Sequence, residues 1–201
     1  MNSSVVIPGE EACLALLKKY STPDHIVRHC QMVWEVGQFI GKSLIQENYH
    51  LDMPLLMASC LLHDIGKFTC IVSGKKHHDI VGQEILIREG LPDVGMIVAQ
   101  HVVLGDPKDR PVAEEHVVFY ADKRVMHDQI VSLESRFIYL NETYGKTPEA
   151  SDRLSFMKQE TIDIESAIFE ILKFGPEEIS DLNGTINHVT QFSKNENIHE
   201  R

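Results

Sequence analysis

The chain has 201 residues, 43% of them hydrophobic, and a formal net charge of −11. That length fits one domain with enough apolar residues for a core, and the charge has the wrong sign for gripping a DNA or RNA backbone, so a long nucleic acid is not expected as a partner. The start, MNSSVVIPGEE, lacks the basic and apolar regions of a secretory signal, no run approaches the ~20 apolar residues of a membrane span, and the cysteines at 13, 30, 60 and 70 form no CxxC pair, so a soluble cytoplasmic protein with reduced core thiols and no membrane partner is expected.

Pro8 suits a first helical turn, and EEACLALLKKY follows it. In STPDHIVRHCQMVWEVGQFIGKSLIQ, Ile26, Val33, Val36, Ile40 and Leu44 recur at steps of three, four and seven, one face of a long helix that Ser21 or Thr22 opens. A third helix is predicted from Pro54 to about Asp64, stopping at Gly66. Others are predicted at 79–89, 93–104, 112–126, 128–142 and 151–173, with Gly90 and Gly175 as helix ends. No useful alternating strand pattern and no internal repeat is present. The polar connectors SGKKHHD (73–79) and LGDPKDRP (104–111) are expected to hold functional groups. The fold expected is all-α: one domain over 1–201, with a core at about 21–140, C-terminal helices at about 128–175 packed on it, and a polar tail at 193–201.

Several titratable residues interrupt apolar helix faces. His29 is in register with Ile26, Val33 and Val36. His63 and Asp64 end an apolar helix, and His78 opens the next. His101 follows Ile97 by four and Val98 by three, and Asp122 follows Val118 by four. One core histidine usually bonds a carbonyl. Four histidines and two aspartates facing inward need a shared counter-ion, which a divalent metal supplies, and mixed imidazole and carboxylate donors suit iron, manganese or zinc. No sulfur ligand is evident.

The order His29, then LLHDIGK at 61–67, then YADKRV with Asp122 resembles the H…HD…D signature of the HD-domain metal-dependent phosphohydrolases. His78 in H-x-x-x-G and His101 in AQHV match the additional histidines of the dinuclear subset. The resemblance covers about 21–140 and implies an all-α bundle with metal at its centre. It implies two divalent ions (iron, manganese, zinc, nickel, cobalt or magnesium). His29, His63, Asp64 and Asp122 would hold the first, Asp64 would bridge, and His78 and His101 would complete the second. His77 competes with His78, which is preferred because only it sits four residues before Gly82. Asp64 and Lys67 are the implied catalytic residues, with Lys67 and Arg124 contacting substrate phosphate; Lys75, Lys76, Arg28 and Lys123 are weaker candidates. Lys67 is expected to be exposed at the site edge. His25, His50, His116, His127, His188 and His199 match no motif and are expected at the surface.

The HHE…GYP segment of cyclic-dinucleotide phosphodiesterases is absent; the region reads QHVVLGDPKDRP. Size and motif order are similar, in part, to bacterial diadenosine tetraphosphate hydrolases. The expected activity is hydrolysis of a phosphate ester or anhydride of a small molecule, a nucleotide above all, by a metal-activated water. A di-iron, O₂-activating oxygenase of the same fold and a non-catalytic regulatory protein remain the alternatives. VSLESRFIYL and LSFMKQETIDIESAIFEILKF read as amphipathic helices that pad the core, a homodimer seam being the other reading.

Overall fold

The five apolar positions that mark the long helix are all buried in α2 (Asp24–Gln46). A computed structural model describes residues 7–75, 77–104 and 111–182. Lys76, residues 105–110 of the second polar connector, the tail at 193–201, His188 and His199 lie outside the described residues.

α1 (Glu10–Lys19) precedes α2, and α3 (Met53–Leu62) follows it. Asp52 caps α3 by accepting from the Leu55 amide at 3.0 Å, and Pro54 sits in its first turn, where a missing N–H costs nothing. Leu56, Ala58, Ser59, Cys60, Leu61 and Leu62 of α3 are all buried, the pattern of a helix at the centre of a bundle. α2 lies against it at close range: a Cβ on Gly37 would meet Cys60 Sγ at 2.7 Å, and one on Gly41 would meet Leu56 Cδ2 at 2.8 Å. Burying leucines such as Leu56 and Leu61 contributes about 1.5–3 kcal/mol each.

α4 (Lys67–Ser73), α5 (His78–Arg88) and α6 (Pro92–Val98) come next, then α7 (Glu114–Lys123). α7 packs on α2 and α3, and α6 on α3 and α5. β1 (Val125–Met126) and β2 (Gln129–Ile130) form a two-stranded hairpin, α8 (Leu133–Tyr144) and α9 (Pro148–Ile171) follow, and the described chain continues to residue 182, helical at 178–182. Ser132 and Thr147 cap the last two helices.

The all-α class agrees with expectation, with differences at the element ends. α3 stops at Leu62 instead of Asp64, and α6 at Val98 instead of 104. The expected helices at 112–126 and 128–142 are separated by the hairpin, where His127 adopts a left-handed φ of 57° that ends helical continuation. α4 was not expected. Met53–Ser73 is also more apolar than the sequence reading allowed. Its 21 residues reach a mean hydropathy of 1.5, enough by composition to cross a bilayer, but 56% of that window is buried inside the fold, and the chain breaks between α3 and α4 at His63–Gly66.

Candidate metal centre

Four elements converge on the turn between α3 and α4. His63, at the end of α3, is fully buried, and Asp64 is 1% exposed. α2 contributes His29, α7 contributes Asp122, His78 opens α5, and His101 lies just beyond α6. All six sequence candidates for metal ligation come together.

Asp64 faces two ways. Its Oδ2 lies 3.3 Å from His63 Nε2 and 3.8 Å from His29 Nε2. Its Oδ1 lies 3.4 Å from His78 Nε2 and 3.6 Å from His101 Nε2. Asp122 Oδ1 closes the first cluster, 3.0 Å from His29 Nε2 and 3.7 Å from His63 Nε2. The donor atoms of His29, His63 and Asp122 lie within 4.8 Å of one another, as do those of Asp64, His78 and His101. The geometry separates His78 from its neighbour: His78 Nε2 is 3.1 Å from His101 Nε2, whereas His77 precedes α5 with a left-handed φ of 67° and no side-chain capping bond.

Backbone carbonyls set the imidazoles. His63 Nδ1 is 2.8 Å from the Cys60 carbonyl, His101 Nδ1 is 2.6 Å from that of Val98, and His29 Nδ1 is 2.8 Å from that of His127. With each Nδ1 bonded to a carbonyl, each Nε2 faces the centre and is the ring atom that a metal would take. The donor set also passes a test of fit. His63 Nε2 and Asp64 Oδ1 are buried and have no hydrogen-bond partner among the described residues, a deficit that a cation between the clusters removes.

The charges are mutually dependent. Burial alone would raise the Asp64 pKa, but Lys67 and then His63 hold its carboxyl well below the usual range. Burial opposes the charged form of His63, and the Asp64 carboxylate overrides it and raises the imidazole well above its ordinary value. Burial lowers His101 to about 4, so it is neutral at pH 7. Burial likewise works against ionised Asp122, which Lys123 and His29 keep well below the carboxylate range. A metal entering the first cluster would displace the proton on His63.

Two expectations about the cations are modified. Lys67 is not free at the edge: its Nζ is 2.5 Å from Asp64 Oδ2, and its side chain is 36% exposed on the cavity. Arg124 does not reach the cavity. Its Nε donates to the Val131 carbonyl at 2.9 Å and its Nη1 to Tyr120 Oη at 2.6 Å and the Pro176 carbonyl at 3.1 Å, tying α7 to the segment beyond α9. Arg124→Ala is therefore expected to cost about 2–4 kcal/mol in urea unfolding, by removing a buried bond to Tyr120 and two part-buried bonds to carbonyls, with metal content unchanged. Metal loss without destabilisation would contradict that assignment. Cys30, expected as a reduced core thiol, is free and buried, and its sulfur lies within 4.8 Å of donor atoms of His63 and Asp64, so a sulfur stands beside the site where none was evident from the sequence.

Lys123 is buried, with its Nζ 2.9 Å from Asp122 Oδ2 and 2.5 Å from the His101 carbonyl, so it braces a residue of each cluster. Lys75 and Arg28 line the cavity as exposed side chains, Arg28 pairing with Asp128 at 3.1 Å. Among the described histidines expected at the surface, His116 departs from that expectation, whereas His25 and His127 are exposed. His116 is buried, accepting from the Ala113 amide at 2.9 Å. His127 is exposed but lines the cavity, and so does His25. The sequence reading missed Arg136 of α8, which is buried and has Nη2 3.6 Å from Asp122 Oδ1.

Residues 26–126 match the family described as HD domain. The chain is 36% identical over 143 residues to a tRNA (cytidine(56)-2'-O)-methyltransferase of Thermoplasma volcanium, covering 64% of this chain and 40% of that protein. It is 31% identical over 142 residues to the like-named protein of Picrophilus torridus, covering 64% of this chain and 39% of the relative. An uncharacterized protein of Methanocaldococcus jannaschii is 24% identical over 167 residues, covering 75% of this chain and 95% of the relative. The chain thus spans about two fifths of the length of the two methyltransferases. No solved structure is significantly similar.

Proposed function

The chain belongs to the HD-domain family, and from that premise we propose that it is a metal-dependent phosphohydrolase acting on a phosphate ester or anhydride of a small molecule, a nucleotide being the class favoured. The observation that carries this reading is the pair of Asp64 oxygens, each turned to its own histidine cluster at the wall of a cavity of about 1150 Å³. His29, His63, Asp64 and Asp122 would hold one divalent ion, and Asp64, His78 and His101 a second. Such a pair supplies Lewis acidity toward phosphoryl oxygens and acidifies a water. The protein's own groups do the rest. The three backbone carbonyls hold the imidazole tautomers, Lys123 braces Asp122, and Lys67 offers an ammonium to a substrate phosphate at the cavity wall.

An anionic substrate suits these cations in a protein whose overall charge is −11. The same charge argues against a long nucleic acid as this chain's own ligand. The methyltransferase name belongs to proteins of which the match covers about 40%, and imidazole, carboxylate and ammonium groups are the chemistry of metal and anion binding.

His78→Ala is expected to lower metal content toward one ion per chain, and His77→Ala is not. The reverse pattern in elemental analysis would reassign the second cluster. The reaction class is tested by incubating metal-loaded protein with nucleotides, dinucleoside polyphosphates and aryl phosphates, with and without oxygen. Phosphate or nucleotide release independent of oxygen supports the hydrolase. Turnover that needs Fe(II) and O₂, with no anaerobic release, would overturn it in favour of an oxygenase.

A further inference from the structure

The family match ends at residue 126, yet α8 and α9, which begin at Leu133 and Pro148, supply part of the cavity wall. Arg136 of α8 is 9% exposed, lines the cavity and is poorly satisfied. Its Nε has no hydrogen-bond partner among the described residues, and its Nη2 stands 3.6 Å from Asp122 Oδ1, beyond hydrogen-bonding range. Asp122 is already served by His29 at 3.0 Å and Lys123 at 2.9 Å, so neutralising it does not require Arg136. A buried guanidinium with an idle donor is costly until an acceptor arrives. The planar fork of an arginine matches a phosphate.

Next to it, the Tyr139 ring is held edge-on to His127, with centroids 5.3 Å apart and an interplanar angle of 73°, and the Arg136 guanidinium carbon is 5.9 Å from its centre. Leu154 and Met157, three residues apart on α9, add apolar surface to the same cavity. At about 1150 Å³ the cavity exceeds the ~300–1,000 Å³ typical of sites for drug-sized ligands, far more than a phosphate group fills.

We infer that α8 and α9 form the substrate-recognition arm: Arg136 binds a substrate phosphate beside the donor clusters, and Tyr139, Leu154 and Met157 take the substrate's organic part, a nucleoside or comparable aromatic unit. The inference rests on the phosphohydrolase reading for the reaction, but its binding half can be read separately.

The test uses the full metal-loaded chain with two probes, adenosine triphosphate and inorganic tripolyphosphate. Both carry phosphoanhydrides, and only one carries a nucleoside. Arg136→Gln is expected to raise KM for both probes about tenfold, with Arg136→Lys recovering part of the loss. Met157→Ser is expected to raise KM about fivefold more for the nucleotide than for tripolyphosphate, as the loss of a base-stacking or apolar contact would. Metal content stays unchanged in all three variants. The inference is overturned if Arg136→Gln matches wild type on both probes or loses metal, or if Met157→Ser affects both probes alike. If wild type cleaves neither probe, the reaction class is read from the wider substrate panel, and calorimetric titration of the same two probes decides the recognition arm. The same pattern in Kd supports it; no binding, or equal binding by all variants, overturns it.

Discussion

Asp64→Ala is expected to strip both donor clusters of metal at once and to reduce activity to background. The reason is geometric. Oδ2 serves the cluster of His29, His63 and Asp122, while Oδ1 serves that of His78 and His101. Removing any one histidine subtracts a donor from one cluster, whereas removing Asp64 subtracts one from each, together with a negative charge that would offset bound cations. It also leaves the Lys67 ammonium without its 2.5 Å partner. Elemental analysis of the variant beside His78→Ala makes the distinction: near-zero metal for Asp64→Ala against about one ion for His78→Ala. Full occupancy in Asp64→Ala would show that the bridging assignment is wrong.

Gly66→Ala is expected to be the most damaging change that removes no functional group. The φ of Gly66 is an ordinary −77°, so backbone strain is not the issue. A Cβ there would meet the His78 carbonyl oxygen at 2.1 Å and the Gly82 amide nitrogen at 2.6 Å. Both obstacles are backbone, in the first turns of α5, and neither can swing aside as a side-chain tip would. The α3–α4 turn and α5 must separate, and that separation carries His78 away from Asp64. The expected cost is about 3 kcal/mol or more, at the upper end of overpacking effects, with metal content falling toward one ion. Thermal unfolding of the metal-free variant isolates the packing cost. A variant with wild-type stability and two ions would contradict this account of the glycine in the HDIG turn.

What the sequence disclosed depended on pattern length. α2 was legible because its buried face repeats over 23 residues, and His29 stood out as a polar residue on that face. Asp122 was legible in the same way on α7, whereas His101 was picked out by the apolar spacing from Ile97 and Val98 although α6 ends at Val98 and His101 lies just beyond it. α4 has seven residues, none of them buried, so no apolar period could announce it. The hairpin strands are two residues each, too short for alternation to show. Arg124 was misplaced because closeness in sequence was taken for closeness in space. Two residues along a helix is about 200° of rotation, so Arg124 leaves α7 on the side away from Asp122. Arg136 was missed because an arginine in ESRFIYL reads as a solvated charge. Only the hairpin, which turns α8 back past α7, brings it within 3.6 Å of Asp122.

The central claim, two metal ions shared through Asp64, is tested most directly by anomalous diffraction from crystals of protein purified without chelator. The account predicts two peaks, one against each Asp64 oxygen, with His29, His63 and Asp122 around the first and His78 and His101 around the second. A single peak, or ions whose ligands do not include Asp64, would contradict it.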